Sequence, residues 1–447
     1  MQSHTDWLES KMYKLYDIFL SHPVVTTDTR QCPEGSIFFA LKGESFDGNM
    51  FAAEALEKGC AYAVIDESQY RVEDDGRYIL VGDVLKTMQE LANFHRRQLV
   101  TPILQITGTN GKTTTKELCS AVLSQKYSVL YTQGNLNNHI GVPKTLLQLT
   151  ADHEMAVIEM GANHPGEIKT LVEIVQPDYG IITNVGKAHL LGFGSFEGVI
   201  KTKGELYDYL RDDDGTVFIN NDNPHLATIS HDLQLVKYGQ QPADNLLVQG
   251  ELLECNPFVH FSWNGHDVQT HLIGSYNLDN LLAAACIGTF FTVPASDICT
   301  ALSQYTPSNN RSQLTVTASN RLVVDAYNAN PTSMAAALDN FQHIQASHKM
   351  AILGDMKELG TVSLDEHRRI LSTLLHSDFE QVWLVGEEFQ KAVNATDSQP
   401  SANAPTLRLF ADVEAVKTYL QTDKPQGFTI LVKGSNSTKL VQLVDHL

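Results

Sequence analysis

The chain has 447 residues, with 52 Asp and Glu against 32 Lys and Arg, a formal charge of −20. At about 150 residues per domain this length predicts two or three domains. The acidic surplus argues against a nucleic-acid or anionic-membrane partner, whose affinity comes from clustered basic side chains.

The 43% hydrophobic content suits a globular chain with sizeable cores. Six scattered cysteines (Cys32, Cys60, Cys119, Cys255, Cys286 and Cys299) form no CxxC pair. They read as reduced core thiols of a cytoplasmic protein, not as a disulfide frame or zinc site. Residues 1–20 mix Asp6, Glu9, Lys11 and Asp17 with apolar residues, unlike the continuous apolar stretch of a signal peptide.

The first hundred residues carry strand and helix signals over 36–41, 51–58 and 61–65, then a charged helix over 84–97. From residue 100 onward, short β-branched runs alternate with helical stretches. Strands are predicted over 103–107, 128–132, 155–160, 180–184, 216–220, 322–326, 349–353, 381–385 and 428–432. Helices are predicted over 113–125, 165–175 and 334–344. Several strand runs are apolar without alternation, as in parallel sheets covered on both faces, and the order of elements predicts βαβ units. The most apolar run, 281–295, contains Thr289, Thr292 and Pro294. It falls short of the roughly 20 residues of a bilayer span and predicts a buried helix. The polar stretch 307–310 separates two groups of strands, and 396–406 reads as a loop within the last domain. The expected fold class is α/β in three domains: a smaller N-terminal α/β domain (1–99), a central P-loop-type doubly wound parallel sheet (100–308) and a C-terminal Rossmann-like α/β domain (309–447).

Residues Thr107-Gly-Thr-Asn-Gly-Lys-Thr-Thr114 follow an apolar strand and open a helix. Gly108 and Gly111 let the backbone curl so that successive N–H groups face one anion, and the helix adds its positive end. Lys112 would reach the terminal phosphates, and the Thr113 hydroxyl would complete a Mg²⁺ shell. The pattern is not the standard Walker A, which wants Gly where Ile106 stands. Nucleotide binding is the inference, through Gly108, Thr109, Asn110, Gly111, Lys112, Thr113 and Thr114.

Ligands of doubly wound sheets sit beyond the carboxyl ends of the strands. One predicted strand ends in Glu159; another ends at Asn184 and is followed by His189; Lys203 lies in the next helical stretch. A carboxylate and an imidazole near a phosphate loop suit a cation that the phosphates also ligate. In the last third, Asp325, Asn328 and Asn330, then Asp355, then Lys433 mark three further strand ends and predict a shared binding edge.

Together these residues resemble a known family. Thr107-Gly-Thr-Asn-Gly-Lys-Thr113 with Glu159, His189 and Lys203 is similar to the ATP-dependent Mur ligases of peptidoglycan synthesis, over nearly the whole chain. Four stretches narrow the resemblance to the branch that uses D-alanyl-D-alanine: Gly134-Asn-Leu-Asn-Asn-His-Ile-Gly-Val-Pro143, Glu159-Met-Gly-Ala-Asn-His-Pro-Gly-Glu167, Asp325-Ala-Tyr-Asn-Ala-Asn-Pro331 and Gly354-Asp-Met-Lys-Glu-Leu-Gly360. The resemblance implies ATP and Mg²⁺ as cofactors, and UDP-N-acetylmuramoyl-tripeptide and D-alanyl-D-alanine as substrates joined through an acyl phosphate. It also implies a cytoplasmic monomer with no nucleic-acid partner and no membrane insertion.

The resemblance further implies roles. Lys112 would hold the β- and γ-phosphates, and Thr113, Glu159, His189 and Lys203 would serve the metal, Lys203 as a carbamate. Lys112, Lys203 and His189 form the catalytic group. Asn220, Asn277 and Asn280 match positions near the adenine, Arg311 a phosphate contact and Asp325 a ribose contact. Thr29, Arg30 and Lys42 match the uridine-nucleotide end of the substrate, and Asn137 and Asn138 also match the substrate site. Asn328, Asn330 and Lys433 match the dipeptide side. Four residues depart from the family pattern: Tyr276 and Asn49 stand where His is frequent, Asn310 where Gly is common, and Asn436 where Arg is expected. The alternatives are a related ligase adding a single amino acid, a P-loop switch, and a nucleotide-binding scaffold.

Overall fold

The computed structural model describes residues 2–396 and 404–447, with side chains from residue 11 onward. Most of the predicted 396–406 loop lies outside the described residues. The chain divides into two compact units, one of Met1–Gln105, Tyr127–Gly161 and Glu167–Tyr179, the other of Ile106–Lys126, Ala162–Gly166 and Gly180–Leu447.

In the first unit, strands Val25–Thr26, Ile37–Phe39, Tyr62–Ile65 and Tyr78–Leu80 form a parallel sheet in chain order. Phe38, Ala40, Ala63 and Ile65 pack with Ala52, Ala55 and Leu56 of the helix Ala52–Glu57. The charged helix forms over Val84–Arg97 as predicted, capped by Asp83 and closed by Arg96 and Arg97, whose charge complements the helix dipole. Its buried Arg96 donates to Asp178 at 2.9 Å and to the Val175 carbonyl at 3.2 Å, and Asp178 also accepts the Ile103 N–H at 2.8 Å. This bracket fixes the start of strand Ile103–Thr107, which lies beside Met155–Glu159 and, beyond it, Val129–Tyr131.

In the second unit, Ile103–Thr107 contributes its carboxyl end beside Tyr179–Ile182. Thr216–Asn220, Gln234–Gly239, Leu246–Cys255, Phe258–Trp263 and His266–Ile273 follow in that spatial order. The last three form an antiparallel meander. It was not predicted, although the Asn264-Gly265 pair, left-handed at φ 46° and 82°, is the strongest short hairpin signal. The 281–295 run resolves into a buried helix, Leu278–Phe290, and the start of a second, Ala295–Gln304. Between them Thr292 turns left-handed (φ 57°) ahead of Pro294, so a single helix cannot continue.

The second unit also carries a six-stranded sheet in the order Gln313–Val316, Arg321–Asp325, Thr429–Lys433, Lys349–Gly354, Gln381–Val385, Thr406–Phe410. All its pairings are parallel except the first. Its apolar runs do not alternate because each face has its own core. Val323, Leu431, Ala351 and Val382 lie in one, and Leu322, Ile430, Met350 and Trp383 in the other. The predicted strands over 103–107, 216–220 and 381–385 match to the residue, and the others to within two residues at their ends. Cys60, Cys119 and Cys286 are buried thiols; Cys32, Cys255 and Cys299 are half-buried. Among the described residues no helix is long and apolar enough to cross a membrane.

Replacing Asp178 by Ala leaves the Ile103 N–H without its acceptor and the buried Arg96 guanidinium with backbone carbonyls as its only partners among these bonds. The expected loss is about 2 kcal/mol, read as a lower urea midpoint by circular dichroism; an unchanged midpoint would show that the bracket contributes nothing.

Candidate active site

Gly111 caps the phosphate-loop helix Lys112–Leu123 with φ 79°, and no side chain caps this end. The helix dipole at this glycine-rich start leaves it suited to an anion. A Cβ on Gly111 would stand 2.5 Å from Asn280 Oδ1, and one on Gly108 (φ 146°) 2.0 Å from Thr183 Oγ1. The loop is therefore shaped from below as well as by its own torsions. The Asn110 carbonyl accepts from Thr183 Oγ1 (2.6 Å) and Asn184 Nδ2 (3.0 Å), while its N–H donates to Asn184 Oδ1 (3.0 Å). Thr109 N–H donates to the Asn184 carbonyl at 2.9 Å, and Thr109 Oγ1 accepts the Gly186 N–H at 2.9 Å. Lys112 Nζ folds back onto the Gly108 and Thr109 carbonyls at 2.8 and 3.0 Å. Thr113 and Thr114 open the helix behind it.

Beneath the loop, Thr115 Oγ1 donates to Asn280 Oδ1 at 3.0 Å, Asn280 Nδ2 to Asn277 Oδ1 at 2.9 Å, and Asn277 Nδ2 to the Ile273 carbonyl at 2.8 Å. Asn277 and Asn280 are buried with these bonds, which anchor the loop to the apolar helix. Asn220 closes its strand, its Oδ1 accepting the Asp222 N–H at 3.0 Å.

His189 is left-handed (φ 49°), and its Nδ1 is bonded to the Glu358 carboxylate. Burial lowers its pKa from the ordinary imidazole value; Glu358 opposes this, and the Lys112 and Lys203 ammoniums add to the depression. Lys203 is 2% exposed in the helix Phe196–Asp212, with Nζ 5.5 Å from the Phe193 ring centroid. Two lysine ammoniums and an imidazole thus share one part of the second unit.

A cavity of about 200 Å³ opens beside them, lined by Ala188, His189, Asn328, Ala329, Asn330, Lys357, Glu358 and the 435–437 segment. Asn330 Nδ2 donates to Asn110 Oδ1 at 2.7 Å, so the cavity wall and the phosphate loop touch. Asn330 also caps the helix Pro331–His343. Lys433 is 1% exposed; its Nζ donates to Asp325 at 2.5 Å and to the Asn328 carbonyl at 3.2 Å. Arg311 stacks 3.8 Å above the Tyr327 ring. Asn310, where Gly is common, adopts φ 57°, which Asn tolerates better than most side chains. Tyr276 hydrogen-bonds with Ser312 at 2.8 Å. Asp355 is fully buried and accepts the Glu388 and Phe389 N–H groups at 3.1 Å each, so this strand end serves a helix start. Lys357 and Glu358 were singled out by no individual reading, although both lie in the 354–360 motif.

In the first unit, Glu159 is 1% exposed at its strand end and accepts from Asn137 Nδ2 at 2.8 Å. Asn138 Oδ1 accepts the Ile140 and Gly141 N–H groups at 3.1 and 2.9 Å, at the start of the helix Gly141–Leu146. Arg30 is exposed and paired with Asp28, whose pKa this pairing lowers to about 2. The Thr29 carbonyl accepts from Lys58 at 2.9 Å. Lys42 bridges Glu67 (2.6 Å) and Asp66 (3.0 Å), which raise its pKa. Asn49, in place of His, is buried and braces Asp47, Asp66 and Glu67.

Among the described residues no three His, Cys, Asp or Glu side chains gather as a metal cluster. The expected set is of another kind: a hydroxyl, a carboxylate, an imidazole and a lysine. The hydroxyl of Thr113 is a hard oxygen donor of the type that Mg²⁺ accepts alongside phosphate and water, and the ring nitrogen of His189 not engaged by Glu358 is a borderline donor. Thr113 and His189 thus offer one oxygen and one nitrogen to such an ion.

The chain belongs to the Mur ligase family. Residues 23–96 match the Mur ligase family catalytic domain, 106–288 the Mur ligase middle domain and 310–436 the Mur ligase glutamate ligase domain. It is similar to the UDP-N-acetylmuramoyl-tripeptide–D-alanyl-D-alanine ligases of Bacillus subtilis, at 33% identity over 95% of this chain and 92% of that protein, and of Treponema pallidum, at 34% over 94% and 92%. A crystal structure of MurF from Acinetobacter baumannii superposes with a TM-score of 0.82 at 30% identity, covering 94% of this chain and 92% of that one.

Gly111→Ala forces a side chain into a left-handed position already filled by Asn280. Nucleotide affinity is expected to fall at least ~10-fold by isothermal titration, about 1.4 kcal/mol; wild-type affinity would mean that the loop does not bind the nucleotide as described.

Proposed function

We propose that the protein is an ATP-dependent amide ligase that joins D-alanyl-D-alanine to UDP-N-acetylmuramoyl-tripeptide, in the cytoplasm where peptidoglycan precursors are assembled. The observation that supports this most is the bond between Asn330 and Asn110. A cavity lined by amide, hydroxyl and charged side chains, of a size for a small acceptor, thereby shares a wall with the loop suited to the phosphates. The match to named ligases of this activity over nearly the full length of both chains supports the same reaction. Domain limits of 1–99, 100–308 and 309–447 go with this reading.

A carboxylate is a poor acyl electrophile because attack must expel an oxide. Transfer of the γ-phosphoryl group to the tripeptide carboxylate breaks the bond to ADP and makes an acyl phosphate, whose leaving group is phosphate. The neutral amine of the dipeptide then attacks the acyl carbon, loses a proton and displaces phosphate. Its pKa near 8 means that only a mild base is required. Lys112 offsets the repulsion as the anionic carboxylate approaches the anionic phosphate. Magnesium, with Thr113, His189 and Lys203 as its holders in the second unit, would supply further neutralising charge. Lys203 is buried; its conversion to a carbamate would turn a cation into an anion and the site's charge toward binding a cation. Asn328, Asn330 and the 435–437 segment receive the dipeptide. Asp325 and Arg311 serve the nucleotide, with Asn220, Asn277 and Asn280 near its base. Thr29, Arg30, Lys42, Asn137 and Asn138 serve the UDP-linked substrate.

Phosphate release from ATP with the UDP-muramoyl-tripeptide is expected to depend on D-alanyl-D-alanine and to yield the amide by mass spectrometry. Release indifferent to the dipeptide, or equal with single amino acids, would overturn the assignment. Lys112→Ala and Lys203→Ala are each expected to lower ligation by about 10³-fold. Short-chain carboxylates should restore part of the Lys203→Ala activity; full activity of that variant without them would refute the carbamate.

A further inference from the structure

Two non-glycine residues in the left-handed region meet at the cavity: His189 at φ 49° and Glu358 at φ 62°. That conformation is unfavourable for both and persists only where the surroundings impose it. Here two bonds do so. The Leu191 N–H donates to the Glu358 carbonyl at 3.1 Å, and the Glu358 carboxylate engages His189 Nδ1. The first needs only the backbone; the second needs the side chain. An ionised carboxylate can only accept, so Nδ1 carries the proton and a neutral imidazole keeps its lone pair on Nε2. Free in solution, a histidine would exchange between tautomers and ring orientations; against Glu358 it has one of each.

We propose that Glu358 is a positioning residue that holds His189 as the Nδ1–H tautomer, with Nε2 presented as a donor to the divalent cation accompanying the nucleotide. This rests on the metal role given to His189 above. Metal-bound histidines generally donate their other N–H to a carboxylate or carbonyl, which fixes the ring and raises its basicity. The carboxylate thus supplies the orientation. Glu358 also lines the cavity, so direct contact with the acceptor's ammonium is the competing outcome.

Two measurements on the full chain test the proposal. In ¹⁵N-histidine-labelled protein, with the His189 signals assigned by their loss in His189→Gln, wild type is expected to show a protonated Nδ1 and an unprotonated Nε2. Glu358→Ala should shift toward a tautomer mixture. Manganese binding, followed by electron paramagnetic resonance with a non-hydrolysable ATP analogue present, should weaken 10–100-fold in Glu358→Ala. Glu358→Gln, whose amide oxygen can accept the same proton, should recover most of that loss. Both variants can keep the backbone bond to Leu191, and circular dichroism checks that their folding is comparable. An Nε2–H tautomer in wild type overturns the proposal whatever the reaction proves to be. Unchanged manganese affinity in Glu358→Ala, with a raised KM for the dipeptide, also overturns it and makes Glu358 a substrate contact. The expected tautomer and manganese results in a protein that fails to ligate the dipeptide would instead fault the assigned reaction and leave the positioning role standing.

Discussion

The site depends on how the Asn110 peptide is held. Its carbonyl oxygen takes two hydrogen bonds from consecutive residues of a neighbouring strand end, Thr183 and Asn184, its N–H is taken by Asn184, and its side chain is bound to Asn330. A glycine-rich loop loses much conformational entropy on ordering. Here hydrogen bonds within the protein offset that loss. Donors fixed in advance need no reorganisation as phosphate charge develops, which is the main source of electrostatic catalysis. The same bonds make the loop answerable to the strand end that leads to His189 and to the helix start that leads into the C-terminal core.

Much of this arrangement was legible from the sequence because it follows backbone periodicity and glycine chemistry. Ile103–Thr107 and Gln381–Val385 are unbroken apolar runs covered on both faces, and such runs identify themselves. The meander over Leu246–Ile273 is different. Its first strand alternates only in part, with Gly250 and two Leu-Leu pairs blurring the pattern, and its signal lay in a two-residue turn. Asp325, Asn328 and Asn330 were legible as strand-end polar residues. That Asp325 is bonded to the buried Lys433 was not, since the pair is 108 residues apart in sequence. Glu358 was hidden for another reason: its role depends on a torsion and on a partner 169 residues away, and neither leaves a periodic trace.

The bulk charge of −20 is also reconciled with anionic ligands at this level. Arg30, Arg77, Lys42 and Lys58 are each paired with nearby carboxylates at the surface. By contrast, Lys112 folds onto carbonyls of its own loop, and the helix end beside it has no side-chain cap. The positive potential is local, built from backbone dipoles and a few cations, and net charge carries no information about it.

The cavity beside His189 has a medicinal consequence. At about 200 Å³ it lies below the volume of pockets that enclose drug-sized molecules, and its walls are amides, hydroxyls and one charge of each sign. A compound confined there would be a fragment, gaining affinity atom by atom under the limits that bind all small ligands. Asn330 offers the exit. Because it belongs both to the cavity wall and to the anchorage of the glycine-rich loop, a fragment grown along it would reach that loop, and a compound spanning both becomes the economical form for a ligand of this protein.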